Sequence, residues 1–256
     1  DRLHLQAIWE TQQQLQQQIG LVAYIFIPIN LNGEQVSYSP RAHATLYAHG
    51  ERLAGQIFRD KMASDAIIRY NIGGDPNNLV TPATVAPYTE EEAAHFEIDY
   101  SALEQYLGFF AGCDILIADP GAEIDLLAAT GRFDLIRDYV HFFRGRFETV
   151  ITSVHHAGLT IPRLEEENIP VDGYLTTVNS PGTFMLPTQE LALDAIGSAS
   201  KPVIAIKPMA GGRFLGEQAF DYVFNEVGVS ASMFGMGTLD QVRQTTGAAR
   251  AVLGLN

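Results

Sequence analysis

The stretch from residue 201 to residue 213, KPVIAIKPMAGGR, constrains the fold more than any other part of this chain. Its apolar run, Val203–Ile206, is typical of a short buried β-strand. The run stops at Lys207, and a turn with Pro208 and two glycines follows. A polar group at the point where an apolar strand stops, before a Gly-rich loop, is typical of the carboxyl end of a strand in a parallel α/β barrel. The stretch therefore predicts an architecture and the end of the sheet at which functional residues lie.

Apolar runs of this kind alternate with helical patterns along the chain. Such alternation, with few hairpin signals, favours a parallel sheet, and continuous apolar runs favour strands that are covered on both faces. We therefore predict one α/β domain over residues 1–256, a (β/α)8 barrel of the TIM type. The predicted strands are residues 21–29, 66–70, 114–118, 150–154, 173–178, 203–206 and 230–234. The predicted helices are residues 1–19, 41–62, 100–110, 133–143, 188–196, 220–224 and 239–253.

An eightfold barrel needs one strand more than these seven runs. The chain opens directly in the polar helical pattern 1–19, so we expect the first strand to lie upstream of Asp1. The alternative is a barrel that is open or is completed by a partner. The Pro- and Thr-rich segment 72–98 is a second irregularity, because loops of this length are commonly lids or binding loops. A plain surface insertion is the alternative there.

Composition argues against several classes of partner. The formal net charge is −14, whereas nucleic acids and anionic membranes are bound by clustered Lys and Arg. We therefore expect a small-molecule substrate, no nucleic acid and no membrane, and a homo-oligomer stays open. The single cysteine, Cys113, excludes an intrachain disulfide and fits a reducing compartment, so we expect a cytoplasmic protein. No apolar run reaches the roughly 18 residues that span a bilayer.

The candidate catalytic residues follow the predicted strands. Neighbouring residues in a strand point to opposite faces, so we expect at most one of His155 and His156 to face the barrel mouth, as a general base or metal ligand. Asp119 can orient a histidine, bind a metal or act as a base, or merely cap the next helix. Lys207 can bind an anion, stabilise an oxyanion or form a Schiff base, or pair with a carboxylate. Arg69 can bind a substrate carboxylate or form a structural ion pair.

Two further hypotheses concern a phosphate-binding site and a metal site. The segments 211–213 and 235–238, both Gly-rich, follow the last two predicted strands, where many barrels bind phosphate through loop amides and a helix N-terminus. Plain turns are the alternative. A divalent metal held by Asp119, Glu123 and one histidine of the 155–156 pair is a weaker hypothesis, because the chain has neither an HxH nor an HExxH motif.

The last three predicted strands resemble the aldo/keto reductase superfamily. Segments 171–179, 201–212 and 228–242 are similar to its sixth, seventh and eighth strand regions, about a third of the chain. The resemblance implies a barrel and a nicotinamide cofactor, NADP or NAD. The residues that it places at the cofactor are Asn179, Gly211, Gly212, Arg213, Gly237, Thr238 and Arg243.

The catalytic residues of that family are not matched. Its reductases use an Asp and a Tyr after strand two, a Lys on strand three and a His on strand four. Aligned by strand order, this chain has Asn30 for the Asp and lacks a Tyr at the expected spacing. It has Arg69 or Asn71 for the Lys, and Asp119 for the His. The Ser-Asn pair that contacts the nicotinamide is replaced by the histidines at 155–156.

Three functional hypotheses follow. The first is an aldo/keto-reductase-like enzyme that acts on a small carbonyl substrate with NADP or NAD. The second is a non-redox lyase, isomerase or hydrolase for a small carbonyl or phosphorylated substrate, with or without a metal. The third is a non-catalytic binding subunit that retains the barrel.

Overall fold

A computed structural model describes residues 2–121 and 123–255, and the fold is mixed α/β. The strands are β1 (Gly20–Ile25), β2 (Ile29–Leu31), β3 (Glu34–Gln35), β4 (Glu97–Ile98), β5 (Asp114–Pro120), β6 (Ile151–Val154), β7 (Gly173–Thr177), β8 (Val203–Ile206) and β9 (Ala231–Met233). The α-helices are α1 (Arg2–Leu15), α2 (Pro40–Ser64), α3 (Ala66–Asn71), α4 (Glu90–Ala93), α5 (Tyr100–Gly108), α6 (Ile124–Ala129), α7 (Phe133–Arg144), α8 (Ala157–Glu166), α9 (Gln189–Ser198), α10 (Glu217–Asp221) and α11 (Leu239–Val252). A 3₁₀ turn spans Pro76–Asn78, and a π-helical turn spans Tyr222–Glu226.

Parallel strands form the centre of the molecule. Strands β6, β7, β8 and β9 pair in that order, and β1 pairs with β5. A parallel bridge between Ala118 and Val150 connects β5 to the start of β6. Within residues 2–121 and 123–255, no pairing returns from β9 to β1, so the structure shows parallel α/β architecture without a closed barrel. Closure into eight strands stays a prediction.

Most of the predicted strands are confirmed. Apolar runs at 114–118, 150–154, 173–178, 203–206 and 230–234 each contain a parallel strand. The run 21–29 is divided, because β1 ends at Ile25 and β2 begins at Ile29 as part of a small antiparallel sheet with β3 and β4. The predicted loop 72–98 contains the 3₁₀ turn, α4 and β4.

The predicted strand at 66–70 is wrong, because these residues belong to helix α3. Asp65 gives the reason. Its carboxylate accepts hydrogen bonds from the amides of Ile67 and Ile68 at 3.0 and 3.3 Å, which caps the start of a helix. Arg69 is therefore exposed on a surface helix and not placed at the end of a core strand.

Helices pack against the parallel strands and bury part of their surface. Strands β6 and β7 are buried along their whole length, as expected for strands with both faces covered. Helix α7 presents one apolar face to the core. The buried residues of that face are Phe133, Ile136, Tyr139, Val140 and Phe143. No helix in the described part of the chain has the length and apolar character needed to cross a membrane.

Helix α9 offers a test of local stability. The hydroxyl of its N-cap residue, Thr188, accepts a hydrogen bond from the Leu191 amide at 3.2 Å. We expect Thr188→Ala to lower the free energy of unfolding by about 1 kcal/mol. Thr188→Ser keeps the hydroxyl and should stay within about 0.5 kcal/mol of the parent protein. Urea denaturation measures both, and an equal loss in the two variants would show that the methyl group, not the cap, is responsible.

Candidate functional site

A cavity of about 530 Å³ opens at the carboxyl ends of β5 and β6, beneath helix α2 and residues 72–80. Its volume lies in the range of about 300–1,000 Å³ that is usual for small-molecule sites. Apolar side chains form most of the wall, and a limited set of polar groups faces the space. The polar lining residues are Tyr38, His43, Tyr47, Asn71, Asn78, Glu123, Asp125, His155 and His156. Polar groups therefore lie at the end of the sheet where the sequence predicts functional residues.

Glu123 is the carboxyl group of this cavity that lacks a partner. Its side chain is buried, and neither carboxyl oxygen has a hydrogen-bond partner among the described residues. Burial raises the pKa of Glu123 to about 7, and the carboxylates of Asp125 and Asp119 add repulsion. The nearby amides of Glu123 and Ile27 lower this pKa without reaching hydrogen-bond geometry. Near neutral pH the group can therefore both donate and accept a proton.

Gly121 makes room for the Glu123 carboxyl group. A Cβ atom at Gly121 would lie 2.5 Å from Glu123 Oε2 and 2.8 Å from the Tyr24 hydroxyl oxygen. The Tyr24 hydroxyl is hydrogen bonded to that of Tyr38, which lines the cavity. Burial raises the pKa of Tyr38, and Glu123 raises it further. The Tyr38 phenol therefore stays neutral at pH 7 and keeps its proton for hydrogen bonding.

Asp119 connects strands β5 and β6 through hydrogen bonds. Its carboxylate accepts hydrogen bonds from the amide and the hydroxyl of Ser153, at 2.8 and 2.6 Å. Burial raises the pKa of Asp119 to about 7, and the bonds to Ser153 oppose this rise. The structure thus engages both oxygens of this residue in holding β6 against β5. A direct catalytic role for Asp119 stays a prediction.

Asp125, which the sequence analysis missed, holds the turn after β6. It accepts hydrogen bonds from the amides of His155 and His156 at 2.7 and 3.2 Å. The Thr160 hydroxyl donates a third bond at 2.5 Å. Burial raises the pKa of Asp125 to about 6. The carboxyl group therefore fixes the backbone that presents both histidines.

Both histidines line the cavity, so the expectation that at most one would face it is wrong. Strand β6 ends at Val154, and the two residues lie in the turn before α8, where strand alternation no longer applies. Burial lowers the pKa of His155 to about 3, with Lys207 adding repulsion. Burial also lowers the pKa of His156 to about 4, and its Nδ1 has no partner in the described part of the chain. At neutral pH both rings are uncharged.

A larger cleft of about 1,290 Å³ adjoins this cavity. Asn71 lines both spaces. Phe184 lies between a residue of the cleft and a residue of the cavity. Its ring centroid is 5.2 Å from the Lys207 ammonium of the cleft and 5.3 Å from the His155 ring centroid of the cavity. Burial lowers the pKa of Lys207, which has no ion-pair partner among the described residues. The site therefore has two adjoining compartments, with a cation at their border.

The predicted cofactor residues fall into three places. Gly211, Gly212 and Arg213 line the cleft. Asn179 is buried, and its amide group donates to the backbone oxygens of Thr183 and Lys207 at 2.9 and 3.2 Å. The other three residues lie before α11 or in its first half and are not among the lining residues of the cleft, although their neighbours Gly235, Gln241 and Gln244 are. These are Gly237, Thr238, which caps that helix, and Arg243, which forms an exposed ion pair with Asp240.

Backbone amides of the Gly-rich loop form hydrogen bonds within the loop itself. The backbone N–H groups of Gly212, Arg213 and Phe214 all donate to the Met209 oxygen, at 2.8, 3.0 and 3.2 Å. An anion in this cleft would therefore be held mainly by the side chains of Lys207 and Arg213. Within residues 2–121 and 123–255, no group of three or more His, Cys, Asp or Glu is arranged to hold a metal ion.

Comparisons with known proteins find only a distant likeness. No protein-family model and no curated protein matches the chain. A solved structure described as a "putative aldo-keto reductase" from Pseudomonas aeruginosa is similar over 91% of this chain and 90% of that chain. Its sequence identity is 15% and its TM-score is 0.39. A likeness of this degree does not identify the activity of this chain.

The sequence held a signal for the acidic part of the site. Asp119, Glu123 and Asp125 fall within seven residues directly after a strand, in DPGAEID. The sequence favours Asp119 as a catalytic candidate and Glu123 only as a ligand in the weaker metal hypothesis, whereas the structure leaves Glu123 without a partner among the described residues. Tyr38 and Tyr47 were missed as well, because they come from the loop before α2 and from α2 itself.

Proposed function

We propose that this protein is an enzyme that reduces a small carbonyl compound in the cavity lined by Glu123. In this proposal a nicotinamide dinucleotide, NADP or NAD, occupies the adjoining cleft, and the parallel strands belong to a barrel of the TIM type. The observation that carries the proposal is the Glu123 carboxyl group, which is buried, lacks a partner among the described residues and has a pKa raised to about 7. A proton donor of that kind suits an oxygen that gains negative charge during reaction.

Glu123 supplies the proton of this reaction. The bound nicotinamide would supply the hydride that is added to the carbonyl carbon. As the carbon–oxygen π bond breaks, its electron pair moves to the oxygen, which takes the proton from Glu123 and becomes a hydroxyl group. The resulting Glu123 carboxylate regains a proton from water before the next cycle. The hydroxyl of Tyr38 and the neutral ring of His155 line the same cavity and can orient the substrate oxygen by hydrogen bonding.

The cleft fits a dinucleotide in size and in charge. Its volume of about 1,290 Å³ exceeds that of the adjoining cavity more than twofold. Lys207 and Arg213 place two cations on its wall, and phosphate groups are bound by such side chains. Arg213 bonds the backbone oxygens of Ala210 and Gly211 at 3.2 and 3.4 Å, which holds its guanidinium near the loop. We therefore expect the diphosphate to lie between these two side chains.

Cofactor binding tests the proposed redox function. Calorimetric titration with NADPH and with NADH should show saturable binding of at least one. Lys207→Met should weaken that binding by about tenfold, the loss expected for one charge-assisted contact. The control is Lys201→Met, which removes the same charge at the other end of β8, where Lys201 pairs with Glu165 at 3.4 Å. An equal loss in both variants, or no binding of either cofactor, would contradict the proposed cofactor site.

A second candidate function is non-redox proton transfer on a carbonyl substrate. It is favoured by three neighbouring buried carboxyl groups whose pKa values are raised to about 6 or 7: Asp119, Glu123 and Asp125. Groups that titrate near neutral pH can remove a proton next to a carbonyl group and return it without a cofactor. Exchange of deuterium from heavy water into a small aldehyde or ketone, followed by NMR in the absence of nicotinamide, would identify this activity.

A further inference from the structure

A second polar pocket, of about 500 Å³, lies on the other side of helix α2. Helix α2 lines it with Thr45, Ala48, His49 and Arg52, whose spacing of three and four residues places them on one helical face. In the same part of α2, the residues that line the Glu123 cavity are at the different positions 42, 43, 46 and 47, and Met62 lines it beyond the kink at Gly55. Residues 87–90, residues 129–131 and Arg163 of α8 complete the pocket. The two spaces share none of their described lining residues.

Two guanidinium groups enter this pocket without a carboxylate partner among the described residues. Arg52 Nη2 donates to His49 Nδ1 at 2.6 Å. Arg163 Nη1 donates to the Ala128 backbone oxygen at 2.5 Å, and its guanidinium lies 4.8 Å from the Phe133 ring centroid. By contrast, seven other arginines form ion pairs with Asp or Glu: Arg41, Arg59, Arg132, Arg137, Arg144, Arg146 and Arg243. The unpaired state is notable in a chain with 30 acidic and 16 basic residues.

His49 is a third polar group of this pocket, and both arginines affect its pKa. A guanidinium can only donate, so His49 Nδ1 must accept from Arg52, and the ring proton lies on Nε2, toward the backbone of Ala129. Burial, together with repulsion by Arg52 and Arg163, lowers the pKa of His49 to about 4. The two cations therefore act on the same buried ring. An anion in the pocket would be attracted by both side chains and would offset the repulsion that remains after solvent screening.

We propose that the pocket formed by His49, Arg52 and Arg163 binds a phosphate group, either free or carried by a small organic molecule. Planar guanidinium groups bind phosphate through paired hydrogen bonds, and a dianion balances two such charges where a monocarboxylate would leave one unbalanced. The pocket volume of about 500 Å³ leaves space for a carbon skeleton beside the phosphate. Exposed Glu90 at the rim is the acidic lining residue, and it pairs with neither arginine in the described contacts. This site is independent of the carbonyl chemistry at Glu123.

Calorimetric titration of the whole protein with glycerol 3-phosphate and with inorganic phosphate tests this site. We expect saturable binding of at least one, and Arg52→Gln should weaken it by about tenfold or more. Tighter binding of the ester would identify an organic phosphate as the ligand, and equal binding would identify free phosphate. The matched control is Arg59→Gln, which removes the same charge from the same helix at a residue that pairs with Glu51. That variant should stay within about twofold of the parent protein, because Arg59 does not line the pocket and already pairs with Glu51.

Two results would overturn the proposal. One is the absence of binding of either probe to the parent protein at millimolar concentration. The other is an equal loss in Arg52→Gln and Arg59→Gln, which would reflect diffuse electrostatics. Arg163 also supports the backbone at Ala128, so a variant there risks unfolding, and the Arg52 variant decides the question. NMR titration of the His49 ring gives a second readout: its pKa should rise when phosphate is bound, and an unchanged pKa would contradict the site.

Discussion

Glu123→Gln is expected to lower kcat for carbonyl reduction by about 10²- to 10⁴-fold, the contribution usual for a positioned proton donor. Glutamine has nearly the same size, but its amide cannot transfer a proton to the carbonyl oxygen. Because Glu123 lines the cavity and not the adjoining cleft in which we propose the cofactor to bind, the affinity for the nicotinamide should change little. Steady-state kinetics with a panel of small aldehydes and ketones, together with cofactor titration, measures both quantities.

The control for this prediction is Glu166→Gln, an exposed residue of helix α8, which should leave kcat unchanged. The pH profile gives a further check. The proton donor is lost as the pH rises through the pKa of Glu123, about 7, so kcat of the parent protein should fall above that pH. Retention of full activity by Glu123→Gln would assign the proton to another group, such as the Tyr38 phenol. Loss of activity in the Glu166 variant would indicate a general defect of the fold.

The parallel strands could be predicted because each lies in a continuous apolar run, although β1, β5 and β9 have exposed residues and are not covered on both faces. Strand β8 matches its prediction at both ends, and β7 is buried throughout. The run 66–70 has the same composition but a different outcome, because the Asp65 carboxylate satisfies two amides at 3.0 and 3.3 Å and so starts a helix. Composition over five residues cannot distinguish these cases, whereas the capping residue before the run can.

The location of the candidate cavity could be predicted better than its details. The sequence placed candidate residues at this end of the sheet, and His155 and His156 line the cavity there, while their role stays a prediction. Asp119 and Glu123 differ in hydrogen bonding, and this difference depends on tertiary contacts. Ser153, from the neighbouring strand, engages Asp119 fully, while Glu123 is left without a partner among the described residues. No local pattern in DPGAEID could separate these two carboxyl groups.

The same substitution, Glu123→Gln, is expected to stabilise the fold at alkaline pH. The pKa of Glu123 is raised by burial from the usual 4.5 to about 7 in the folded protein. Below about pH 4 both the folded and the unfolded chain hold the proton, and the carboxyl group makes no pH-dependent contribution. Between those two pKa values the unfolded chain loses its proton first, so the free energy of unfolding falls as the pH rises. Above about pH 7 the loss is complete, at on the order of 3 kcal/mol.

Glutamine does not titrate, so the free energy of unfolding of Glu123→Gln should exceed that of the parent protein by on the order of 3 kcal/mol more at about pH 8 than at about pH 4. The buried histidines titrate in both proteins, and their contributions cancel in this difference. Asp119 and Asp125 repel Glu123, so the difference also contains the loss of that repulsion. Urea denaturation at several pH values measures it, and Glu166→Gln should show no such change. A difference that is constant with pH would mean that Glu123 has an ordinary pKa. A variant that gains stability while losing turnover would show that the fold retains an unfavourable buried carboxyl group because the reaction needs its proton.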